Sequence, residues 1–328
     1  MTPSLVDLIR SESSAAEALG MLTPVQLELM REQGWLRLLI PRSIGGLEYD
    51  LPDLLELQEA ASRADGSFGW VLALCGGAGF FAGFVDRSVA LELFGSPDVC
   101  VAGTGFPAGV AVSVPGGYRV SGHWRYASGA PHATLYTANC HFPDGVRAVI
   151  FLPSQITLLN GWQPLGLRAT ASQDMIVRDA FVPFERTFSL DKPFVDGPLY
   201  HYPFRQQAEA VLSVTLLGMA AHFLELFEER ILGRFPRAEP VLLESRAAIA
   251  AVRTSYYDAI RASWMQPSNE ALLTAVGDVA RTATRTALHC ADRLYPYGGM
   301  EMMQMHTEIN RVWRDIHTAS QHTLLAPM

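Results

Sequence analysis

Between Arg205 and Leu232 the chain reads RQQAEAVLSVTLLGMAAHFLELFEERIL, a long helical run that is apolar on nearly every side. A helix without a polar face has to be enclosed by other elements. The segments that follow supply enclosing partners: EPVLLESRAAIAAVRTSYYDAIRASW, SNEALLTAVGDVARTATRTALHCADRLY and TEINRVWRDIHTASQHTLL. Their alanine content allows close antiparallel approach, which predicts a four-helix bundle over residues 193–328. The apolar surface of this last third exceeds what one bundle core needs, so a homodimer or homotetramer is expected.

The rest of the chain divides by hydrophobic period. Residues 1–97 are expected to be helical, with Thr23 as an N-cap and Pro24 at the first helical position. LPDLLELQEAASRAD sets Leu51, Leu54, Leu55, Leu57 and Ala61 on a broad apolar face. Over 98–192 the pattern shortens to runs rich in Val, Ile, Thr and Tyr: VCVAGTG, GVAVSVPGGYRVSGHWRYA, TLYTANCHF, VRAVIFLP, ITLLN and DMIVRDAFVP. Gly116-Gly117 predicts a hairpin between VAVSV and YRVSG. The fold class is therefore mainly α with a central, antiparallel, barrel-like β domain.

Composition removes several functions. The 328 residues carry a net charge of −8 with no run of like charges, which provides nothing for phosphate neutralisation. Neither nucleic acid nor an anionic membrane is an expected partner. FGWVLALCGGAGFFAGFV (68–85) is uncharged, but five glycines interrupt it, and a buried core helix is expected rather than a membrane span. Its GxGxxxG spacing lacks a surrounding βαβ unit, so it is not a dinucleotide site. Cys75, Cys100, Cys140 and Cys290 are scattered, and the amino terminus shows no secretory pattern, which together predict a reduced, cytoplasmic protein. No HExxH is present, and His317 and His322 are five residues apart, so no metal site is expected. The absence of GxSxG argues against an α/β-hydrolase serine nucleophile.

In GHWRYASGAPHA (122–133), strand alternation places Trp124 and Tyr126 on one face, with Ser128 following on it. Taken with GWLRLLIPRSIGG, ASRADGSFGW, WQPLGLRATASQDMIV, YPYGG and NRVWRDIHTASQH, this stretch resembles the acyl-CoA dehydrogenase superfamily. The similarity is greater to its branch of two-component flavin-dependent monooxygenases, and it extends over nearly the whole chain.

The resemblance implies a flavin, FAD or FMN. By position, Tyr126 would pack on the flavin, Ser128 would direct its hydroxyl at N5, and Thr104 would contact the pyrimidine edge. Gly298 and Gly299 would let backbone approach the cofactor. A fixed hydroxyl dipole at N5 stabilises charge without reorganisation, which makes Ser128 a catalytic candidate. Trimming that hydroxyl is expected to cost the fold little. The dehydrogenase base position falls near Thr323, which cannot remove an α-proton at neutral pH. Glu209, one residue off an alternative base position, is expected to be solvated or salt-bridged. His322 is spaced as the active-site histidine of the monooxygenase branch and is the second catalytic candidate, able to take or hold a proton near neutrality. The bland reading of His322 is a helix-terminal charge balancing the macrodipole. His132 is expected to be structural.

The favoured function is a monooxygenase using reduced flavin and O2 on a small organic substrate, with an aromatic or polyketide-like compound suggested by the resemblance alone. A separate reductase is implied, because no nicotinamide fingerprint is present. An acyl-CoA dehydrogenase and a degenerate, non-catalytic relative are the alternatives. The short GRFPRAEP connection offers only Arg234 or Arg237 for a flavin pyrophosphate, and little chain follows His322, so weak or transient flavin binding is expected.

Overall fold

The computed structural model describes residues 1–326; Pro327 and Met328, at the end of the expected bundle, lie outside the described residues. Five helices come first: α1 (Pro3–Leu19), α2 (Pro24–Glu32), α3 (Leu51–Ala64), α4 (Gly66–Val71) and α5 (Arg87–Phe94). Thr23 opens α2 with a capping box: its Oγ1 accepts from Gln26 N, and Gln26 Oε1 accepts from Thr23 N, both at 3.2 Å. On α3, Leu51, Leu54, Leu55 and Ala61 are fully buried, and Leu57 packs at the core margin. The glycine-broken segment continues α4 through a π turn (Leu72–Gly76) and a 3-10 stretch (Ala78–Phe84). Two helical segments, Gly66–Phe84 and Phe204–Leu232, are long and apolar enough to cross a membrane, but 78% and 89% of their apolar windows are buried within the protein.

Seven strands follow: β1 (Val101–Val114), β2 (Gly117–Ala127), β3 (Leu135–Phe142), β4 (Gly145–Phe151), β5 (Thr157–Leu159), β6 (Gln173–Pro183) and β7 (Thr187–Phe188). They form one sheet in the order β5-β6-β2-β1-β3-β4-β7. The β1–β2 hairpin closes with Val114 opposite Gly117, and Gly116 at φ +82 takes the left-handed turn position that suits glycine. Two sequence expectations need correction. The sheet is not wholly antiparallel, because β1 and β3 run parallel, Val101 opposite Leu135. VCVAGTG and GVAVSV form one continuous strand, whose pairing with β3 shifts between Thr104 and Gly109.

The carboxyl-terminal helices are α6 (Pro198–His201), α7 (Phe204–Phe227), α8 (Glu239–Met265), α9 (Glu270–Leu294), α10 (Gly299–Met303) and α11 (Glu308–Ala319). The all-apolar α7 is enclosed by α8, α9 and α11, and also by α3 from the amino-terminal block. That extra partner explains why α7 needs no polar stripe. The capping box gives a direct check on the local reading. Thr23→Ala should destabilise the protein by about 1 kcal/mol in chemical denaturation, because the Gln26 backbone N–H loses its side-chain acceptor.

Candidate active site

The strand that carries the aromatic pair does not alternate as its sequence suggests. The β2–β6 pairing shifts between Trp124, opposite Met175, and Ala127, opposite Gln173. Tyr126 sits in this bulge with φ +66. The extra residue rotates the chain, so Trp124 is fully buried in the sheet core while Tyr126 is 55% exposed. The one-face reading of Trp124, Tyr126 and Ser128 is therefore wrong, and the bulge is the reason. The exposed Tyr126 ring meets the edge of Trp162, centroids 5.9 Å apart, and the Arg125 guanidinium lies 4.8 Å from its centroid.

Ser128, just past the strand, is buried and hydrogen-bonded on both sides. Trp70 Nε1 donates to Ser128 Oγ at 3.2 Å, and Ser128 Oγ contacts Ser172 Oγ at 2.7 Å. Ser172 Oγ in turn contacts Thr170 Oγ1 at 2.7 Å, and Thr170 Oγ1 donates to Leu167 O at 2.8 Å. An indole N–H can only donate and a carbonyl can only accept. All four bonds are satisfied in one proton order only: Trp70 to Ser128, Ser128 to Ser172, Ser172 to Thr170, Thr170 to Leu167. The Ser128 proton is thereby committed, and its oxygen keeps one lone pair as an acceptor. The Cys75 thiol adds a contact of 3.6 Å to the Ser128 carbonyl. Its pKa is raised, first by the hydrogen bond with Cys100 and then by burial, so it stays a thiol.

The loop that ends this chain is strained and clamped. Leu167 and Ala171 are left-handed, at φ +52 and +45, each at a cost of roughly 1–2 kcal/mol for an L-residue. Leu167 O accepts from Thr170 and also from Trp162 Nε1 at 3.0 Å. On the other side, α11 grips the loop. Gly166 N donates to Thr318 Oγ1 at 2.8 Å, and Leu167 N donates to Asp315 Oδ1 at 2.5 Å. Gly166 permits the approach, since a Cβ there would lie 2.1 Å from the Arg314 carbonyl oxygen.

His322 follows α11 in a turn, half-buried, with its ring centroid 6.0 Å from that of Trp70. Its Nδ1 accepts from Leu324 N at 3.3 Å, which leaves Nε2 to carry the proton. Burial lowers its pKa below the usual 6.5, so the ring is neutral at pH 7 and does not balance a helix dipole. Trp70 thus joins the two catalytic candidates, Ser128 by a hydrogen bond and His322 by ring contact.

The remaining candidates are placed as follows. Thr104 lies where β1 slips against β3, and its Oγ1 accepts from Phe106 N at 3.5 Å in a loop where Phe106 is 73% exposed. The nearest side chains to Gly298 and Gly299 are Met302 and Phe235, in the bundle rather than beside Ser128. Arg234 pairs with Glu301 at 2.8 Å, and Arg237 is exposed. Glu209 is salt-bridged to Arg205 and Arg281 at 3.2 and 3.8 Å, but it is buried rather than solvated and belongs to the α7–α9 contact. Thr323 is exposed. The His132 pKa is lowered, by burial first and the Arg31 charge second. Trp70, Ser172, Thr170 and Trp162 make contacts around Ser128 and Tyr126 that the sequence did not reveal. Each nevertheless lies inside a quoted motif: ADGSFGW, ATAS or GWQPLGL.

This helical–sheet–bundle arrangement, with its site beside the exposed end of β2, is the acyl-CoA dehydrogenase fold. Residues 210–327 match the family model described as acyl-CoA dehydrogenase, C-terminal domain. The chain is similar to indole-3-acetate monooxygenase of Pseudomonas putida, 28% identical, covering 91% of this chain and 82% of that one. It is also 28% identical to the flavin-dependent monooxygenase oxygenase subunit HsaA of Mycobacterium tuberculosis, covering 99% and 90%. The crystal structure of the M. tuberculosis HsaA monooxygenase superposes with a TM-score of 0.91 at 25% identity, over 99% of this chain and 92% of that one. Residues 210–327 thus carry an acyl-CoA dehydrogenase C-terminal domain, the whole chain has the fold of these enzymes, and the relatives it is similar to include oxygenase components of flavin-dependent monooxygenases.

The expectation that Ser128 is cheap to trim changes with this geometry. Ser128→Ala leaves the Trp70 indole N–H buried without an acceptor, at a cost of about 1–3 kcal/mol. Urea unfolding should show that loss, whereas Thr104→Ala, with a single long hydrogen bond, should fall within about 0.5 kcal/mol of the parent.

Proposed function

We propose that this chain is the oxygenase component of a flavin-dependent monooxygenase, fed reduced flavin by a separate reductase and acting on a small aromatic substrate. The observation that carries the reading is that an acceptor-only Ser128 and a neutral His322 both meet Trp70, with the exposed Tyr126 two residues before Ser128. The residues present fit a flavin. Tyr126 presents an open aromatic face on which an isoalloxazine can stack. Ser128, its proton committed to Ser172, can accept from N5–H, a donor that only the reduced flavin carries. Thr104 and its exposed loop are available to the pyrimidine edge. Gly298 and Gly299 are proposed to meet the cofactor through backbone, in a homodimer or homotetramer built on the bundle surface where Met300, Met303 and Met305 are exposed. Four free thiols accord with a reduced, cytoplasmic setting.

When bound, reduced flavin supplies two electrons to O2, so that one oxygen atom enters the substrate and the other leaves as water. The protein's share is binding, orientation and proton placement. Trp70 and Trp162 wall the site with apolar surface, and His322 holds a proton on Nε2 for the reacting oxygen. A neutral imidazole donor of this kind needs no charge change to act. Turnover should therefore be insensitive to His322 ionisation above pH 6.5, its ordinary value, and should fall only when the ring charges at lower pH. Glu209, the candidate for a dehydrogenase base, is locked between two arginines.

In an assay with a flavin reductase, oxygen and an aromatic test substrate, His322→Ala should lower turnover by about 10²-fold or more. Flavin binding should remain. Equal turnover in parent and variant would remove the proton-handling role.

A further inference from the structure

Asp315 is a buried carboxyl with unequal oxygens. Oδ1 accepts from Leu167 N at 2.5 Å, while Oδ2 is buried with no hydrogen-bond partner. Arg314, its neighbour in sequence, is not its partner. The Arg314 donors go instead to Glu17 Oε1 at 2.6 Å, Asn310 Oδ1 at 2.7 Å, Leu165 O at 2.9 Å and Met305 O at 3.3 Å. Oδ2 faces the start of α4: a Cβ on Gly66 would lie 2.8 Å from it, with Met219 of α7 behind. Asp65, immediately before Gly66, is also buried; its Oδ1 caps Phe68 N at 2.8 Å and its Oδ2 lies 3.7 Å from Arg311 Nε. Arg311 otherwise reaches Ser14 of α1. Two carboxyl groups thus share one dry junction in which Arg311 lies beside Asp65 and Arg314 is engaged elsewhere, an arrangement that favours a neutral Asp315.

We propose that Asp315 is a positioning residue of the site: through its bond to Leu167 N it holds Leu167 left-handed and so fixes the acceptor end of the Trp70–Ser128–Ser172–Thr170 chain. The inference rests on the flavin reading above for its catalytic meaning, but its structural consequence does not. Leu167 O receives both Thr170 and Trp162. If Leu167 relaxes, the hydroxyl chain loses its terminus, the Ser128 proton is no longer committed, and Trp162 is free to leave Tyr126. The charge state agrees with the geometry. Burial first, and the Asp65 charge second, push the Asp315 pKa up to about 8, against the opposing pull of Leu167 N–H, Arg311 and Arg314. A pKa raised on folding contributes stability that is full below the ordinary 3.8 and is lost as pH rises through about 8.

The test compares Asp315→Asn, which keeps a neutral acceptor for Leu167 N, with Asp315→Ala, which removes it. Arg168 is exposed in the same loop, so tryptic cleavage after it, read by mass spectrometry, reports loop opening. In Asp315→Ala that cut should come about tenfold faster than in the parent, and in Asp315→Asn at the parental rate. Fed reduced flavin and an aromatic test substrate, Asp315→Ala should also give less product per O2 consumed, and Asp315→Asn the parental ratio. Unchanged cleavage in the alanine variant, an asparagine variant that behaves like alanine, or a parental product ratio in both would overturn the proposal. The cleavage result stands even if the chain oxygenates nothing, so failure of the functional reading is seen separately. Should Asp315→Ala not fold, thermal melts of Asp315→Asn decide: the decline in stability between pH 4 and 8 should flatten. A decline as steep as the parent's would sink the idea.

Discussion

Arg314 is the fixed point of the architecture. It is fully buried, and its bonds reach three parts of the molecule: Glu17 at the end of α1, the Leu165 carbonyl in the loop before β6, and Asn310 and Met305 around α11. A guanidinium in a dry interior is tolerated because every nitrogen has a partner. Removing one partner of such a pair typically costs roughly 3–5 kcal/mol, since the other charge is then left buried and alone. The residue therefore does more than join two helices. It sets the distance between the bundle and the loop that ends the hydroxyl chain, and the neighbouring Asp315 and Thr318 complete the clamp on that loop.

From that clamp the chemistry follows in order. A fixed Leu167 carbonyl gives the hydroxyl chain a direction, the direction commits the Ser128 proton, and the committed proton makes Ser128 an acceptor. Left-handed residues at 126, 167 and 171 all surround this one region. Backbone strain collected in one place and offset by packing elsewhere is the usual signature of a site whose geometry matters. The neutral His322 and the indole of Trp70 close the far side.

Much of this was legible in the sequence, for identifiable reasons. The helical, strand and helical blocks show through because hydrophobic period survives without tertiary information, as LPDLLELQEAASRAD and DMIVRDAFVP illustrate. Thr23 and the Gly116 turn show through because caps and turns are local chemistry. The bulge at Tyr126 does not, because strand alternation presumes an unbroken ladder and a single inserted residue reverses every side chain beyond it. The parallel pairing of β1 with β3 is equally invisible, being a property of topology rather than of either strand. Ser172 and Thr170 were in view as motif letters, but their role depends on a contact with Ser128 across 44 residues. Arg314-Asp315 served in the sequence only as a landmark. The structure shows the two side chains to have different partners, which no spacing rule reports.

Ser128 is proposed to accept a hydrogen bond from flavin N5–H, which would make the site prefer the reduced cofactor. An air-free titration of the protein with FMN and FAD, each in oxidised and photoreduced form, measures this directly. The reduced form should bind more tightly, by about tenfold for one well-made hydrogen bond in a buried site. The preference should disappear in Ser128→Ala. Equal affinity for the two redox states, or a preference that persists without the Ser128 hydroxyl, would contradict it.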